Sequence, residues 1–259
     1  MIEDIILIHS ERGMNLLRKH LSKSFCFDAA RALLALPRGE IMLTTGFCIS
    51  EKYAETDGPP GTYFLSRTLE KLGFEPAVIT DYPCSKLLET KKAKNPVCKI
   101  SIERCGRNQN GKYLNMKGVD ISKLTEPIDS HFIEPGCLTI GIGDGGNEIG
   151  MGNLEKQISE SLKISPCVIK TTHLIISAVS NWGAYGLIKY LDVLTGKSTF
   201  PSFDEVKEYI EKIVALGAVD GVTGVREPSV DGFSLDIEKE ILKLLDNFSD
   251  SWMGEDNII

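Results

Sequence analysis

The chain has 259 residues, 42% of them hydrophobic and 25% charged, with a formal net charge of −7. That is the composition of a soluble globular protein long enough to bury a substantial core. The acidic balance excludes a general nucleic-acid or anionic-membrane binder, because either needs a basic face and the densest basic run is only Lys91, Lys92 and Lys94.

Apolar residues at helical spacing over 5–21 and 29–36 predict an opening helical segment, ended by Pro37 and Gly39. A buried strand is expected over 41–47, then a loop through TDGPPG and a helix over 62–72. Next come a strand over 76–80, a helix over 85–93, a strand over 98–102 and a strand over 138–142. The stretch 154–162 is amphipathic, and 168–179 is a long apolar run containing a strand or the start of a helix. Helices are expected over 182–194, 203–216 and 237–245, and the tail from Ser251 is expected to fray.

Strands alternating with helices in this way predict an α/β fold, mostly parallel, doubly wound and Rossmann-like, with helices on both faces of a three-layer sheet. No repeat or linker divides the chain. It reads as one domain over 1–259, with a helical segment at 1–39 and a helical part at 203–250. The seven cysteines lack zinc spacing, no run of 18 apolar residues spans a membrane and no secretory leader is apparent. The expectation is a cytoplasmic protein with reduced thiols that binds neither nucleic acid nor membrane. A homo-oligomer remains open.

The motifs that carry chemistry all follow predicted strands, where parallel sheets bind ligands. TGF and ETDGPPG follow the first, ERCGR the third, GDGGNE the fourth and SNWG the fifth. The densest is GIGDGGNEIGMGN at 141–153, six glycines around Asp144, Asn147 and Glu148. Gly141, Gly143 and Gly146 match dinucleotide spacing, but Asp144 would face a pyrophosphate with like charge, and no ribose-binding acid appears at 165–173. Two acids and an amide suit a hard cation, an ammonium group or proton transfer, with Gly145 and Gly146 allowing close approach of a ligand; capping of a following helix is the structural alternative.

In ETDGPPG, Glu55 and Asp57 can meet an ammonium or a metal, while the helix start from Gly58 to Gly61 offers amides to a carboxylate. Arg104 or Arg107, next to Glu103, can fork onto a substrate carboxylate or pair internally. Ser180 and Asn181 stand at a strand-to-helix turn where Asn181 can donate to an oxyanion and Trp182 can wall a pocket. Cys105 is the one thiol in a polar motif, His131 near Asp129 is a reserve acid or base, and Asp220-Gly221 and Asp231-Gly232 read as turns.

TGF at 45–47, ETDGPPG at 55–61, IERCGR at 102–107, PID at 127–129, GIGDGGNEIGMG at 141–152 and SNWG at 180–183 resemble, in order, the D-glutamate cyclase-like C-terminal domain family. The resemblance runs from about residue 40 to 235, with Asn110 standing where that family is expected to carry Asp. It implies a carbon–oxygen lyase that converts D-glutamate to 5-oxo-D-proline and water. Ring closure needs a neutral α-amine, a γ-carboxyl carbon in range and help for the departing oxygen. On this reading Glu148 or Asp144 moves the protons, Asn147 and Asn181 stabilise the oxyanion, and Arg104 or Arg107 with the 58–61 helix start holds carboxylates. No cofactor is demanded outright; Mg²⁺ or Mn²⁺ held by Asp144, Asn147 and Glu148 is the candidate. The alternative is a non-catalytic module that senses an acidic amino acid or nucleotide through the same pocket.

Overall fold

The computed structural model describes residues 1–134 and 136–249. Its centre is a five-stranded, wholly parallel sheet of β1 (Glu40–Thr45), β2 (Glu75–Ile79), β3 (Cys98–Ile102), β4 (Leu138–Gly143) and β5 (His173–Ile176), in the order β2-β1-β3-β4-β5. The architecture is the three-layer, Rossmann-like α/β arrangement. The chain winds outward from β1 to β2, then reverses to β3, so the topological switch point lies between β1 and β3. Register keeps the carboxyl ends level: Thr45 lies opposite Ile102, Ile102 opposite Ile142, and Ile142 opposite Ile175. The loops after these strands therefore leave one edge of the sheet together.

Three helices lie on one face of the sheet, with α3 (Phe25–Leu34) and α4 (Pro59–Lys71) each packed on α6 (Ser180–Thr195). α6 is buried nearly all round, with Trp182, Tyr185, Leu187, Ile188, Tyr190 and Leu191 inaccessible, because α3, α4 and α8 (Leu235–Asp246) enclose it. α7 (Phe203–Ala215) packs on α8 and α4 and starts with a capping box in which Ser202 and Glu205 bond each other's backbone N–H. The other face is covered by the β4–β5 connection, which contains α5 (Glu155–Ser161). Gly141 is required there, since a Cβ would overlap the Ile149 carbonyl oxygen pressed against the sheet.

Two expected helices differ. The opening segment is broken into α1 (Ile2–Ile5), α2 (Met14–Leu17) and a 3-10 turn Arg18–His20. The Ile6 carbonyl accepts from Ala178 N (2.8 Å), and His9 and Gly13 take left-handed φ of 61° and 89°, so the chain leaves the helical path and loops over the sheet edge. The helix expected at 85–93 is one 3-10 turn, Cys84–Lys86, followed by irregular chain whose Lys91 N pairs with the Val78 carbonyl. Its apolar content is Leu87 and Leu88, side by side, and Ala93 at the end, which gives a helix no stripe to bury. Of the run at 168–179, only His173–Ile176 is strand, and the helix after it starts at Ser180. The tail from Ser251 lies outside the described residues.

Candidate active site

Six carboxylates meet beyond the carboxyl ends of β1, β3 and β4: Glu55, Asp57, Glu103, Asp144, Glu148 and Asp231, all buried. Asp144 links two groups whose carboxylate oxygens lie within 4.8 Å of one another, Asp57–Asp144–Asp231 and Glu103–Asp144–Glu148. One guanidinium enters the cluster. Arg12 donates to Asp144 Oδ2 (2.5 Å), to the Ala178 carbonyl (3.1 Å) and, closer still, to Asp231.

Two helix N-termini frame the acids. Asp57 caps α6, accepting from Ser180 N (2.9 Å) and Asn181 N (2.8 Å), and its Oδ1 also accepts from Gly58 N. Asn181 returns the contact: its Oδ1 accepts from Gly58 N (3.0 Å) and Gly61 N (2.9 Å), and its Nδ2 donates to the Thr56 carbonyl. Each helix thus satisfies the other's orphan amides. Gly58 sits at φ 93°, and a Cβ there would overlap Thr45 Oγ1, so no other residue fits the turn. Ser180 donates its hydroxyl to Glu103 Oε2 (2.6 Å), and Glu103 itself holds a left-handed φ of 45°, a strained conformation for a non-glycine residue.

Each expected residue can now be placed. Asp144 and Glu148 lie in the acidic centre, but Glu148 uses both oxygens to hold its own loop, through Gly145 N (2.8 Å) and Gly146 N (2.7 Å). Asn147 donates to the Leu114 carbonyl (2.8 Å) and leaves its buried Oδ1 without a partner. The Gly58 and Gly61 amides donate to Asn181 Oδ1, Gly58 N also to Asp57, and Asn181 Nδ2 donates to the Thr56 carbonyl, so these groups brace the two helix starts against each other. The Arg104 guanidinium is held in an internal pair: it forks onto Asp81 (2.6 and 2.5 Å) and donates to the Gly46 and Glu126 carbonyls. Arg107 pairs with Asp129 (3.3 Å), whose other oxygen accepts from Tyr113. Cys105 is buried and its thiol is pushed well above its ordinary range, which opposes reactivity. His131 lies in a 3-10 turn and contributes its carbonyl to Lys99.

Sequence reasoning missed Arg12 and Asp231. Arg12 sits inside the stretch expected to be helix, where the polar run SERG was the only sign of a break. Asp231 and Gly232 do form a turn, the two-residue link between β6 (Ser229–Val230) and β7 (Phe233–Ser234), with φ of 54° and 82°. The turn aims the Asp231 carboxylate into the cluster, and Asp220 braces it by accepting from Gly232 N and Ser229 Oγ.

The charges decide what this centre can hold. Two like charges 4 Å apart repel by about 4 kcal/mol at an effective dielectric constant near 20, so six carboxylates against one guanidinium cannot all be ionised without another cation. Burial, then neighbouring acids, raise Glu55 and Glu103, and burial raises Asp144 against the pull of Arg12. Burial and Asp231 bring Asp57 up to about 8 in spite of its backbone hydrogen bonds. Glu148 is raised by burial, with its loop amides opposing. Asp144 Oδ1 and Glu55 Oε1 are buried without any hydrogen-bond partner. Such a site holds protons, a hard cation, or both.

A cavity of about 200 Å³ opens onto the cluster, lined by Arg12, Glu55, Glu103 and Asp231 on the charged side, by Asn115, Lys117 and Asn147, and by Phe47, Ile49 and Val222. That is room for a small metabolite. No helix among the described residues is long and apolar enough to cross a membrane.

The chain is similar to D-glutamate cyclase, mitochondrial, of Homo sapiens: 31% identity over 215 aligned residues, covering 64% of this chain and 35% of the human protein. It spans about a third of that relative's length. The family model described as D-glutamate cyclase-like, C-terminal, matches residues 2–100 and 90–246, taking in Arg12 and Asp231 as well as the strand-end motifs between them. The chain belongs to the D-glutamate cyclase-like C-terminal family.

Proposed function

We propose that the chain closes the ring of D-glutamate to give 5-oxo-D-proline and water. The observation that carries this reading is the buried acidic centre, with its unpartnered carboxylate oxygens on Asp144 and Glu55, opening onto a cavity of about 200 Å³. An α-ammonium is the substrate group that such a centre attracts. Raised carboxyl groups are suited to move its protons near neutral pH. Glu55, on the cavity wall with a free oxygen, accepts a proton from the ammonium. The amine nitrogen then attacks the γ-carboxyl carbon, and a C–N bond forms. Glu103, also on the wall, returns a proton to the departing oxygen as the C–O bond breaks. The two protons shed by nitrogen leave on that oxygen as water, so the step needs no oxidant or reductant.

The donor set also fits a hard divalent cation. Glu103, Asp144 and Glu148 offer oxygens at ligating spacing, and Asn147 Oδ1 is buried and unpartnered beside them. Mg²⁺ or Mn²⁺ held there would polarise the γ-carboxyl group. Arg12 remains to neutralise the Asp144–Asp231 side.

Incubating the purified protein with D-glutamate, L-glutamate or 5-oxoproline, with and without Mn²⁺, and following ring closure by NMR tests the proposal. Interconversion of glutamate and 5-oxoproline supports it. No turnover under any condition, together with thermal stabilisation by these ligands, would instead establish a binding module.

A further inference from the structure

An anionic amino acid entering a cavity floored by carboxylates needs a cation to meet its carboxylate. Two cationic side chains line the cavity, Arg12 and Lys117. Arg12 is engaged with Asp144, Asp231 and the Ala178 carbonyl. The Lys117 ammonium has no hydrogen bond or ion pair among the described residues, and the side chain is exposed at the cavity mouth.

The turn that presents Lys117 is rigidly built. Asn115 Oδ1 accepts from Lys117 N (3.0 Å) and Val119 N (3.0 Å), Gly118 N donates to the Asn115 carbonyl (2.8 Å), and Gly118 takes φ 74°. Asn147 pins the turn to the acidic loop through the Leu114 carbonyl, and Phe47, Cys105, Tyr113 and Ile121 form a small apolar cluster beneath it. A cation thus stands on a braced turn in the lining of the same cavity as Glu55, Glu103 and Asp231.

We infer that Lys117 binds the substrate's α-carboxylate and restricts the enzyme to free amino acids, excluding peptides and amides in which that carboxyl group is blocked. The inference rests on the ring-closing reading above. With the ammonium held by the acids and the γ-carboxyl carbon brought against its nitrogen for ring closure, the α-carboxylate is the group left to meet a cation of the lining. It takes no part in bond making and survives in the product, so Lys117 holds substrate and product alike.

The test compares glutamate with its α-amide as substrates of the wild type, Lys117→Met and Lys117→Arg. The expected result is a KM for glutamate raised about tenfold or more in Lys117→Met, with a smaller effect on kcat, and loss of the wild type's preference for glutamate over the α-amide. Lys117→Arg should retain most of that preference. An unchanged KM and unchanged preference in Lys117→Met would overturn the inference. Calorimetric binding of 5-oxoproline and its carboxamide reads the same contact without turnover. If the wild type turns nothing over but prefers the carboxylate in a Lys117-dependent way, the ring-closing reading falls and the Lys117 contact stands. Equal affinity for both ligands in the wild type, or binding of neither, removes the contact.

Discussion

Two arginines deliver charge to buried acids at the same edge of the sheet, and they do opposite things. Arg104 meets Asp81 in a bidentate pair whose remaining bonds go to backbone carbonyls, and Asp81 in turn accepts from Glu126 N. Charge and hydrogen bonding nearly balance there, so the pair ties the loop after β3 to the loop after β2. Arg12 meets a crowd, and oxygens on Asp144 and Glu55 stay unpartnered around it. Balanced burial makes architecture. Unbalanced burial makes a place where protons or cations must come and go, which is what chemistry requires.

The contrast breaks first at Asp144. Asp144→Asn should lower turnover by about 10²- to 10⁴-fold while leaving the unfolding free energy unchanged or higher, because one like charge leaves a crowded centre. Steady-state kinetics beside urea unfolding read both signs. A loss of stability without loss of turnover would make Asp144 a structural partner of Arg12 and collapse the distinction. Arg104→Met should do the reverse, destabilising the fold by about 3–5 kcal/mol because Asp81 is left buried and unpaired. Urea unfolding measures it, and a change below about 1 kcal/mol would show that water or another cation replaces the guanidinium.

The smallest effect separates crowding from burial. Glu238 on α8 is buried like the site acids and accepts from Trp182 Nε1 (2.6 Å), yet burial, with a smaller push from Asp231 and against that hydrogen bond, brings it up to about 7 from an ordinary 4.5. Its folded-state value is raised, so its contribution to stability is fully present below about 4.5 and is lost as pH rises through about 7. The loss is roughly 3 kcal/mol, at about 1.4 kcal/mol per unit. Glu238→Gln should therefore gain on the wild type between pH 5 and pH 8 in urea unfolding. A constant difference across that range would mean that Glu238 keeps one protonation state.

The fold was largely legible because strand signals are local. The segment 98–102 and the boundaries of α7 follow from apolar pattern and capping, and the coincidence of motifs at strand ends located the acidic centre. The helical reading of 5–21 failed for a non-local reason: its apolar spacing is real, but the Ile6 carbonyl is taken by Ala178, far along the chain just after β5. The roles of individual polar residues were least legible. A guanidinium in ERCGR suits a substrate carboxylate or Asp81 equally, and only tertiary placement shows Asp81 there first. Asn181 likewise carries an amide donor that suits an oxyanion, but in the fold its Nδ2 donates to the Thr56 carbonyl while its Oδ1 accepts from Gly58 N and Gly61 N.

Arg12 and Asp231 are separated by 219 positions in the chain, and both close on the same centre. Closing a loop of that length costs conformational entropy that the surrounding packing must offset. The β6–β7 hairpin supplies Asp231, one of the buried charges that raise Glu55, Glu103 and Asp144. The crowding at this centre is therefore a property of the closed fold, assembled from both ends of the chain, and no local segment carries it alone.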